Sequence, residues 1–154
     1  MKVLFLCTDN YTRSVTAEFC LRSYMKKNSI TGIEVASAGF RADSYLSRFS
    51  SIHFDRMKDL DVDTSTFERT QFQSKFLDDF SLVVAMGVEH RTFIEEQYGR
   101  RIPLFNEIYR NEETSLTVPP PDHEGRYLEE INGMVDYIYK AAPVFVRNLY
   151  SRHL

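Results

Sequence analysis

The chain has 154 residues, of which 43% are hydrophobic and 27% are charged, and its formal net charge is −3. This length suits one domain with one core, and the composition is that of an ordinary globular protein. The weak negative charge gives no basis for binding nucleic acid or an anionic membrane, and no apolar segment is long enough to span a bilayer. The two cysteines, Cys7 and Cys20, form no disulfide framework, which indicates a reducing cytoplasm.

Residues 3–14, VLFLCTDNYTRS, carry the main functional signal. The run Val3 to Leu6 is short and wholly apolar, which is typical of a strand buried on both faces of a parallel sheet. Cys7 ends this run, and Arg13 and Ser14 precede an amphipathic segment, so the stretch predicts a strand, a tight loop and a helix start. Such a loop offers backbone N–H groups, a helix N-terminus and a planar guanidinium to an anion, and all three favour a thiolate at Cys7. The stretch therefore predicts a nucleophilic sulfur beside a bound phosphoryl group, although a cysteine at a strand end can also be a structural core residue.

The rest of the chain alternates helical and strand patterns. This alternation predicts an α/β fold, a single-domain four-stranded open parallel sheet flanked by helices on both faces, with an N-terminal phosphate-binding loop. Ligands bind at the C-terminal ends of the strands in such sheets, where Cys7 and residues 37–40 and 87–90 fall. Residues 106–126 are irregular and polar, which is typical of a functional loop.

After the first strand, the predicted elements of the N-terminal half are a helix from Val15 to Lys27 capped by Ser14, a strand from Ile33 to Ser37, a helix capped by Asp43 or Ser44 and ending near Leu60, and one or two short helices between Thr66 and Phe80. The predicted elements that follow are a strand from Leu82 to Met86, a helix from Val88 to Tyr98, a marginal fourth strand from Ile102 to Phe105, and a helix from Arg126 to Arg152 that Pro143 kinks or splits.

Several motifs resemble those of the low-molecular-weight protein tyrosine phosphatases. The resemblance runs over nearly the whole chain, in order, and implies one phosphatase-like domain over residues 1–154. The motifs that carry it are CTDNYTRS at residues 7–14 followed by Ala17 and Glu18, SAG at residues 37–39, VVAM at residues 83–86, and Asp122 behind a proline.

The resemblance implies a role for each residue of the loop. Cys7 would attack phosphorus and form a phosphocysteine, and Asp122 would protonate the leaving phenolate and then deprotonate the incoming water. Ser14 would hydrogen-bond the Cys7 sulfur. The substrate would be a phosphotyrosine protein or a small aryl phosphate, inorganic phosphate would bind the same loop, and no metal or organic cofactor would be needed. The residues implied to bind the phosphoryl group are Thr8, Asp9, Asn10, Tyr11, Thr12, Arg13 and Ser14, with Asn10 also holding the loop in shape.

Four positions near this site depart from the family pattern, one of them Val15, which replaces the usual Pro at the first helical position. Asp9 stands where the family usually has Gly, so a carboxylate lies near a site for a dianion and should weaken binding unless it points to solvent. Thr12 replaces a frequent second loop cysteine, so a protective disulfide with Cys7 cannot form. Gly87 stands where the third strand commonly ends in Asp.

The general acid is the least certain of the implied roles, because the usual Asp-Pro pair is absent. Strict spacing from Val118 and Pro119 places the acid on Pro120, and Asp122 requires a local shift. Asp122 could instead cap the final helix, with Asp9 and Glu124 as rival acids.

Three functional interpretations remain open. The first is hydrolysis of phosphotyrosine through a phosphocysteine, and the second is a weakly active or inactive relative that binds phosphate or phosphopeptides. The third is another protein that uses this loop. Arsenate reductases of similar fold need further cysteines, which are absent after Cys20, and phosphocysteine carriers of sugar-transport systems are shorter and lack the Arg. Tyr11 and Phe40 are candidates to line the cleft mouth or to pack on neighbouring loops, and His53 is predicted to be a core-edge residue.

Overall fold

The computed structural model describes residues 1–42, 51–117 and 126–153. A parallel sheet at its centre contains the strands β1 (Lys2–Cys7), β2 (Glu34–Gly39) and β3 (Leu82–Ala85), in the order β2-β1-β3. β1 is the central strand, and all of its residues after Lys2 are buried. Its apolar run is unbroken because both of its faces are covered, as in other parallel sheets.

Helices cover both faces of this sheet, so the predicted α/β class is confirmed. One core forms around Phe5 and Val84 beneath residues of the first and last helices, and a second core forms around Leu4, Leu6 and Ile94 on the opposite face. No helix within the described ranges is both long and apolar enough to cross a membrane. The helices are α1 (Arg13–Lys27), α2 (Ile52–Asp59), α3 (Phe76–Asp79), α4 (Val88–Tyr98), α5 (Phe105–Arg110) and α6 (Arg126–His153).

The predicted fourth strand is wrong, and the sheet has three strands in the described residues. Leu104 makes a single parallel bridge to Ala85, and the Ala85 N–H donates to the Pro103 carbonyl at 2.9 Å. Pro103 has no N–H to return to the ladder, so pairing stops there. The chain then turns into α5 at Phe105, where the sequence pattern predicts an irregular segment.

Other boundaries also differ from the prediction. Ser14 does not cap α1, which begins one residue earlier, because its side chain is turned toward Cys7 instead. α6 continues through Pro143, so of the two predicted alternatives the split does not occur, and buried residues on both sides of the proline hold the helix against the core. Between Thr66 and Phe80 only α3 is helical. The predicted caps Asp43 and Ser44 lie outside the described residues.

Two long-range contacts fix the surroundings of the loop that follows β1. Arg56 on α2 forms a two-point ion pair with Asp136 on α6, with Nε to Oδ1 at 2.8 Å and Nη2 to Oδ2 at 3.2 Å. Gly39, at the end of β2, lies directly against the loop backbone. A Cβ at Gly39 would lie 2.5 Å from the Asn10 nitrogen and 2.7 Å from the Thr8 oxygen, so only glycine fits there.

We expect Gly39→Ala to destabilise the protein, because backbone atoms would have to move to admit the methyl group. Overpacking of this kind costs about 1–3 kcal/mol in the free energy of unfolding. Gly133 is the matched control, since it lies on an exposed turn of α6 and a Cβ there would have nothing within 4 Å. Gly133→Ala should raise the free energy of unfolding by up to about 1 kcal/mol. Urea denaturation of both variants checks this, and equal stability of Gly39→Ala and the wild type would contradict the packing argument.

Candidate active site

Most carbonyl oxygens of the loop from Cys7 to Arg13 accept hydrogen bonds from groups that surround the loop. At the β2 end, the Cys7 carbonyl accepts the Phe40 N–H at 3.3 Å and the Thr8 carbonyl accepts the Arg41 N–H at 2.7 Å. These two bonds continue the β1–β2 pairing beyond the end of the sheet.

Side chains and the first turn of α1 hold the next carbonyls. Arg69 donates from Nε and Nη2 to the Asp9 carbonyl at 3.1 and 2.7 Å. His53 Nε2 lies 2.7 Å from the Tyr11 carbonyl. The Thr12 carbonyl accepts the backbone N–H and the hydroxyl of Thr16, at 3.0 and 2.7 Å.

The outward carbonyls determine where the N–H groups point. The described residues contain no cis peptide, and the C=O and N–H of a trans peptide point in opposite directions. The N–H groups that follow these carbonyls therefore face the loop interior, and none of them donates to another group in residues 1–42, 51–117 or 126–153. A concave set of N–H donors of this kind suits an anion. The inward groups are those of Thr8, Asp9, Asn10, Thr12 and Arg13.

Asn10 is the centre of the loop's hydrogen-bond network. It is fully buried and has a left-handed φ of 50°, a conformation that Asn adopts more readily than most residues. Its Oδ1 accepts the Thr70 N–H at 2.7 Å, which fixes the amide orientation because a backbone N–H can only donate. Its Nδ2 then donates to Ser14 Oγ at 3.1 Å and to Ser37 Oγ at 2.8 Å. Ser37 in turn donates to Glu18 at 2.6 Å.

The Cys7 sulfur lies at the base of the loop. Cys7 is 3% exposed, and its Sγ is 2.9 Å from Ser14 Oγ. Because Ser14 Oγ already accepts from Asn10, its own hydrogen is available to the sulfur. Cys20 lies in the core on α1 instead, where burial raises the pKa of its thiol to about 12.

Arg13 is held by one of its two terminal nitrogens. Its Nη1 donates to Glu89 Oε1 at 3.1 Å and to the Leu116 carbonyl at 2.9 Å. Its Nε and Nη2 have no partner in the described part of the chain, so that edge remains for two oxygens of an anion. The Glu89 carboxylate lies over Gly87. A Cβ on residue 87 would be 2.6 Å from both carboxylate oxygens of Glu89. Gly87 therefore leaves the space that this carboxylate occupies.

His90 supports the loop from α4. Its Nδ1 accepts the Gly87 N–H at 3.0 Å, so the ring proton is on Nε2, which donates to Thr8 Oγ1 at 3.1 Å. Burial, and then the positive charge of Arg13, lower the pKa of His90 to about 4. The ring is therefore neutral near pH 7 and adds no charge to the site.

The structure brings most of the predicted site residues into this one loop. Asp9 does not have a positive φ, so replacing the family's glycine causes no backbone strain, and its carboxylate has no partner among the described residues. Thr12 is also in the loop and precedes α1. Of the three candidate acids, Asp9 lies in the loop, and Asp122 and Glu124 lie outside the described residues.

Tyr11 and Phe40 are half-buried and pack on neighbouring segments, which is one of the two predicted alternatives. The Tyr11 ring contacts Phe54 and Phe67 edge-on, and the Phe40 ring lies 4.4 Å from that of Phe93.

Four supporting residues are not predicted from the sequence: His53, Arg69, Glu89 and His90. The helical pattern predicts His53 only as a core-edge residue. In the structure His53 is 1% exposed, and its Nε2 contacts the Tyr11 carbonyl of the loop. The first turn of α4 offers the only local signal, since polar residues follow a buried strand there. Arg69 lies in an irregular segment whose pattern indicates nothing.

A sequence model of the family described as low molecular weight phosphotyrosine protein phosphatase matches residues 2–151. The chain belongs to this family. It is therefore a member of a family of phosphatases. No curated protein matches the sequence significantly.

Solved structures with low sequence identity share the fold of this phosphatase-family chain. A low molecular weight protein tyrosine phosphatase from T. tengcongensis is 24% identical, with 96% of this chain and 98% of that chain covered and a TM-score of 0.79. The YwlE arginine phosphatase from Geobacillus stearothermophilus is 21% identical, with 98% and 94% covered and a TM-score of 0.78. A YwlE arginine phosphatase variant with a phosphorylated active-site serine is 18% identical, with 99% and 98% covered and a TM-score of 0.82.

The two buried histidines should make stability depend on pH. Burial lowers the pKa of both His53 and His90 from 6.5 to about 4. Between those values the unfolded chain binds more protons than the folded one, so the free energy of unfolding rises with pH and is lost on acidification. We expect each histidine to lower the free energy of unfolding by on the order of 2 kcal/mol between about pH 6.5 and 4.

Urea denaturation across this pH range measures the effect. His53→Gln cannot be protonated, so it should show a shallower pH dependence than the wild type. Identical slopes for the two proteins would show that His53 is not buried in its neutral form.

Proposed function

We propose that the chain hydrolyses phosphotyrosine in proteins, and small aryl phosphates, through a phosphocysteine at Cys7. The observation that carries this proposal is the position of the Cys7 sulfur, which lies at the base of a loop of inward N–H donors and 2.9 Å from the Ser14 hydroxyl. A thiolate there would meet a phosphoryl group held by the same donors.

In the first step the Cys7 thiolate attacks phosphorus, and the bond between phosphorus and the phenolic oxygen breaks. The inward N–H groups and the Nε and Nη2 of Arg13 hold the three equatorial oxygens as charge develops on them. Asp122 donates its proton to the leaving phenolate. Asp122 is six residues along the chain from Leu116, whose carbonyl contacts Arg13, which is consistent with an acid beside this site.

In the second step a water molecule attacks the phosphorus, Asp122 accepts a proton from that water, and the S–P bond breaks. The Ser14 hydroxyl hydrogen-bonds the departing thiolate, and inorganic phosphate is released from the loop. The phosphorylated active-site serine of the YwlE variant supports a covalent route, because in that protein the active-site residue carries the phosphate.

The aromatic surroundings of the loop favour a flat leaving group. Tyr11 is part of the loop, and Phe40 follows Gly39 and donates its N–H to Cys7, so two half-buried rings adjoin the site. Each ring packs on a neighbouring segment and is only half-buried, so part of it remains for a phenyl ring, and a phosphoarginine side chain would gain less from that surface. The unpaired carboxylate of Asp9 favours the second candidate function, a phosphate-binding relative with weak turnover, because it repels the dianion.

Rates on a phosphotyrosine peptide, nitrophenyl phosphate and phosphoarginine test the substrate class. We expect hydrolysis of both aryl esters and slower hydrolysis of phosphoarginine. Cys7→Ser should abolish turnover and leave phosphate binding largely intact. The matched control is Cys20→Ala, which should retain wild-type rates because Cys20 is a core residue. Faster hydrolysis of phosphoarginine would contradict the tyrosine assignment, and phosphate binding without turnover would favour the phosphate-binding relative.

We expect Asp122→Asn to slow phosphotyrosine hydrolysis by roughly a hundredfold, the typical size of general-acid catalysis. Nitrophenyl phosphate should be affected less, since nitrophenolate leaves almost without a proton. Glu124→Gln is the paired variant and should retain activity. The assignment would be reversed if Glu124→Gln lost activity on phosphotyrosine while Asp122→Asn kept it, and the chain would lack a working acid if neither variant changed the rate.

A further inference from the structure

Two peptide groups of the loop are held by side chains rather than by the backbone. The carbonyls of Cys7 and Thr8 accept N–H groups of the turn that follows β2, and the carbonyl of Thr12 accepts one from α1, which any sequence with this fold supplies. The Asp9 carbonyl depends on Arg69, and the Tyr11 carbonyl depends on His53. These two carbonyls lie on either side of Asn10, at the tip of the loop.

We propose that His53 and Arg69 are positioning residues, an outer clamp that holds the Asn10 and Thr12 N–H groups toward the bound phosphoryl group. This inference rests on the proposed function, since it assigns the clamp to the phosphate-binding form of the loop. Each clamp bond fixes one carbonyl outward, and the N–H of the same trans peptide must then point inward. Without the bond that peptide can rotate and turn its carbonyl toward the anion, which replaces a donor with a repelling dipole.

His53 is held rigidly enough for this role. Its ring centroid lies 4.1 Å from that of Phe54 and 5.0 Å from that of Tyr11, and the residue is 1% exposed. The Arg56–Asp136 ion pair holds its helix α2 on α6. Because its partner is a carbonyl, which can only accept, the hydrogen must be on His53 Nε2.

Arg69 adds a positive charge where the loop has an extra negative one. Its guanidinium carbon lies 5.6 Å from the Tyr11 ring centroid, so the two halves of the clamp meet on Tyr11. Two of its nitrogens contact the carbonyl of Asp9, the residue whose carboxylate opposes anion binding. Arg69 therefore orients this peptide through its backbone carbonyl.

Clamp variants test this proposal. Arg69→Met keeps much of the aliphatic stem and loses the donors, and His53→Leu keeps an apolar side chain and loses the Nε2 donor. His53→Gln is the conservative variant, because its amide nitrogen can donate to the Tyr11 carbonyl. Arg100→Met is the matched control, since Arg100 also donates to a backbone carbonyl, that of Leu77 at 2.6 Å, away from the loop.

The readouts are the inhibition constants of inorganic phosphate and orthovanadate, kcat and KM for nitrophenyl phosphate, and the rate at which iodoacetate alkylates Cys7. We expect His53→Leu and Arg69→Met to weaken phosphate binding at least tenfold and to lower kcat by ten- to a hundredfold, near the loss of one donor to a developing oxyanion. They should also slow alkylation, because fewer N–H groups face the sulfur. His53→Gln should restore most of each value, and Arg100→Met should match the wild type.

The outcomes separate this inference from the proposed function. If the wild type hydrolyses no phosphate ester, the proposed function is wrong, and phosphate affinity alone then decides the clamp. If the wild type is active and both donor-deleting variants keep its phosphate affinity and kcat, the clamp is wrong. If His53→Leu does not fold, Arg69→Met decides the matter, because Arg69 is only half-buried. A loss that His53→Gln fails to restore would overturn the hydrogen-bond role of His53.

Discussion

The opposition of C=O and N–H within each trans peptide is the constraint on which the site depends. A loop can present N–H donors to an anion only if its carbonyls find donors on the other side. The fold meets this demand with the end of β2, the first turn of α1, and two side chains from beyond β2, His53 and Arg69. The loop is therefore shaped from outside, by elements that lie on the side opposite to its inward N–H groups.

The need to hold the loop carbonyls outward also explains why glycine is required at position 39 and asparagine at position 10. Gly39 lets the loop lie against β2, where a methyl group would meet backbone atoms at 2.5 Å. Asn10 supplies one acceptor and two donors in a left-handed conformation, and it uses all of them. Because Asn10 Nδ2 donates to Ser14 Oγ, the Ser14 hydrogen is left for the Cys7 sulfur. The close packing at Gly39 and the direction of the Asn10 hydrogen bonds thus together determine which donor faces the Cys7 sulfur.

Sequence patterns predict those parts of the fold that depend on nearby residues. The strand before Cys7 and the helix α4 are predicted correctly because an apolar run, and a helical segment closed by Gly99, are local signals. The fourth strand is wrong because Pro103 gives no N–H to the ladder, and an apolar pattern does not register that loss. The outer clamp cannot be found from the sequence at all, since its bonds join residues 42 and 60 positions apart.

Two departures from the family pattern are each accompanied by a charged group from elsewhere in the chain. Gly87 lacks the aspartate that commonly ends the third strand, and the Glu89 carboxylate fills the space above it and binds Arg13. This pairing leaves Arg13 available, because a guanidinium has five N–H donors and Glu89 and Leu116 engage only Nη1. Asp9 adds a carboxylate to the loop, and the Arg69 guanidinium contacts the same residue. In each case the support comes from a side chain outside the loop, Glu89 through its contact with Arg13 and Arg69 through the Asp9 carbonyl.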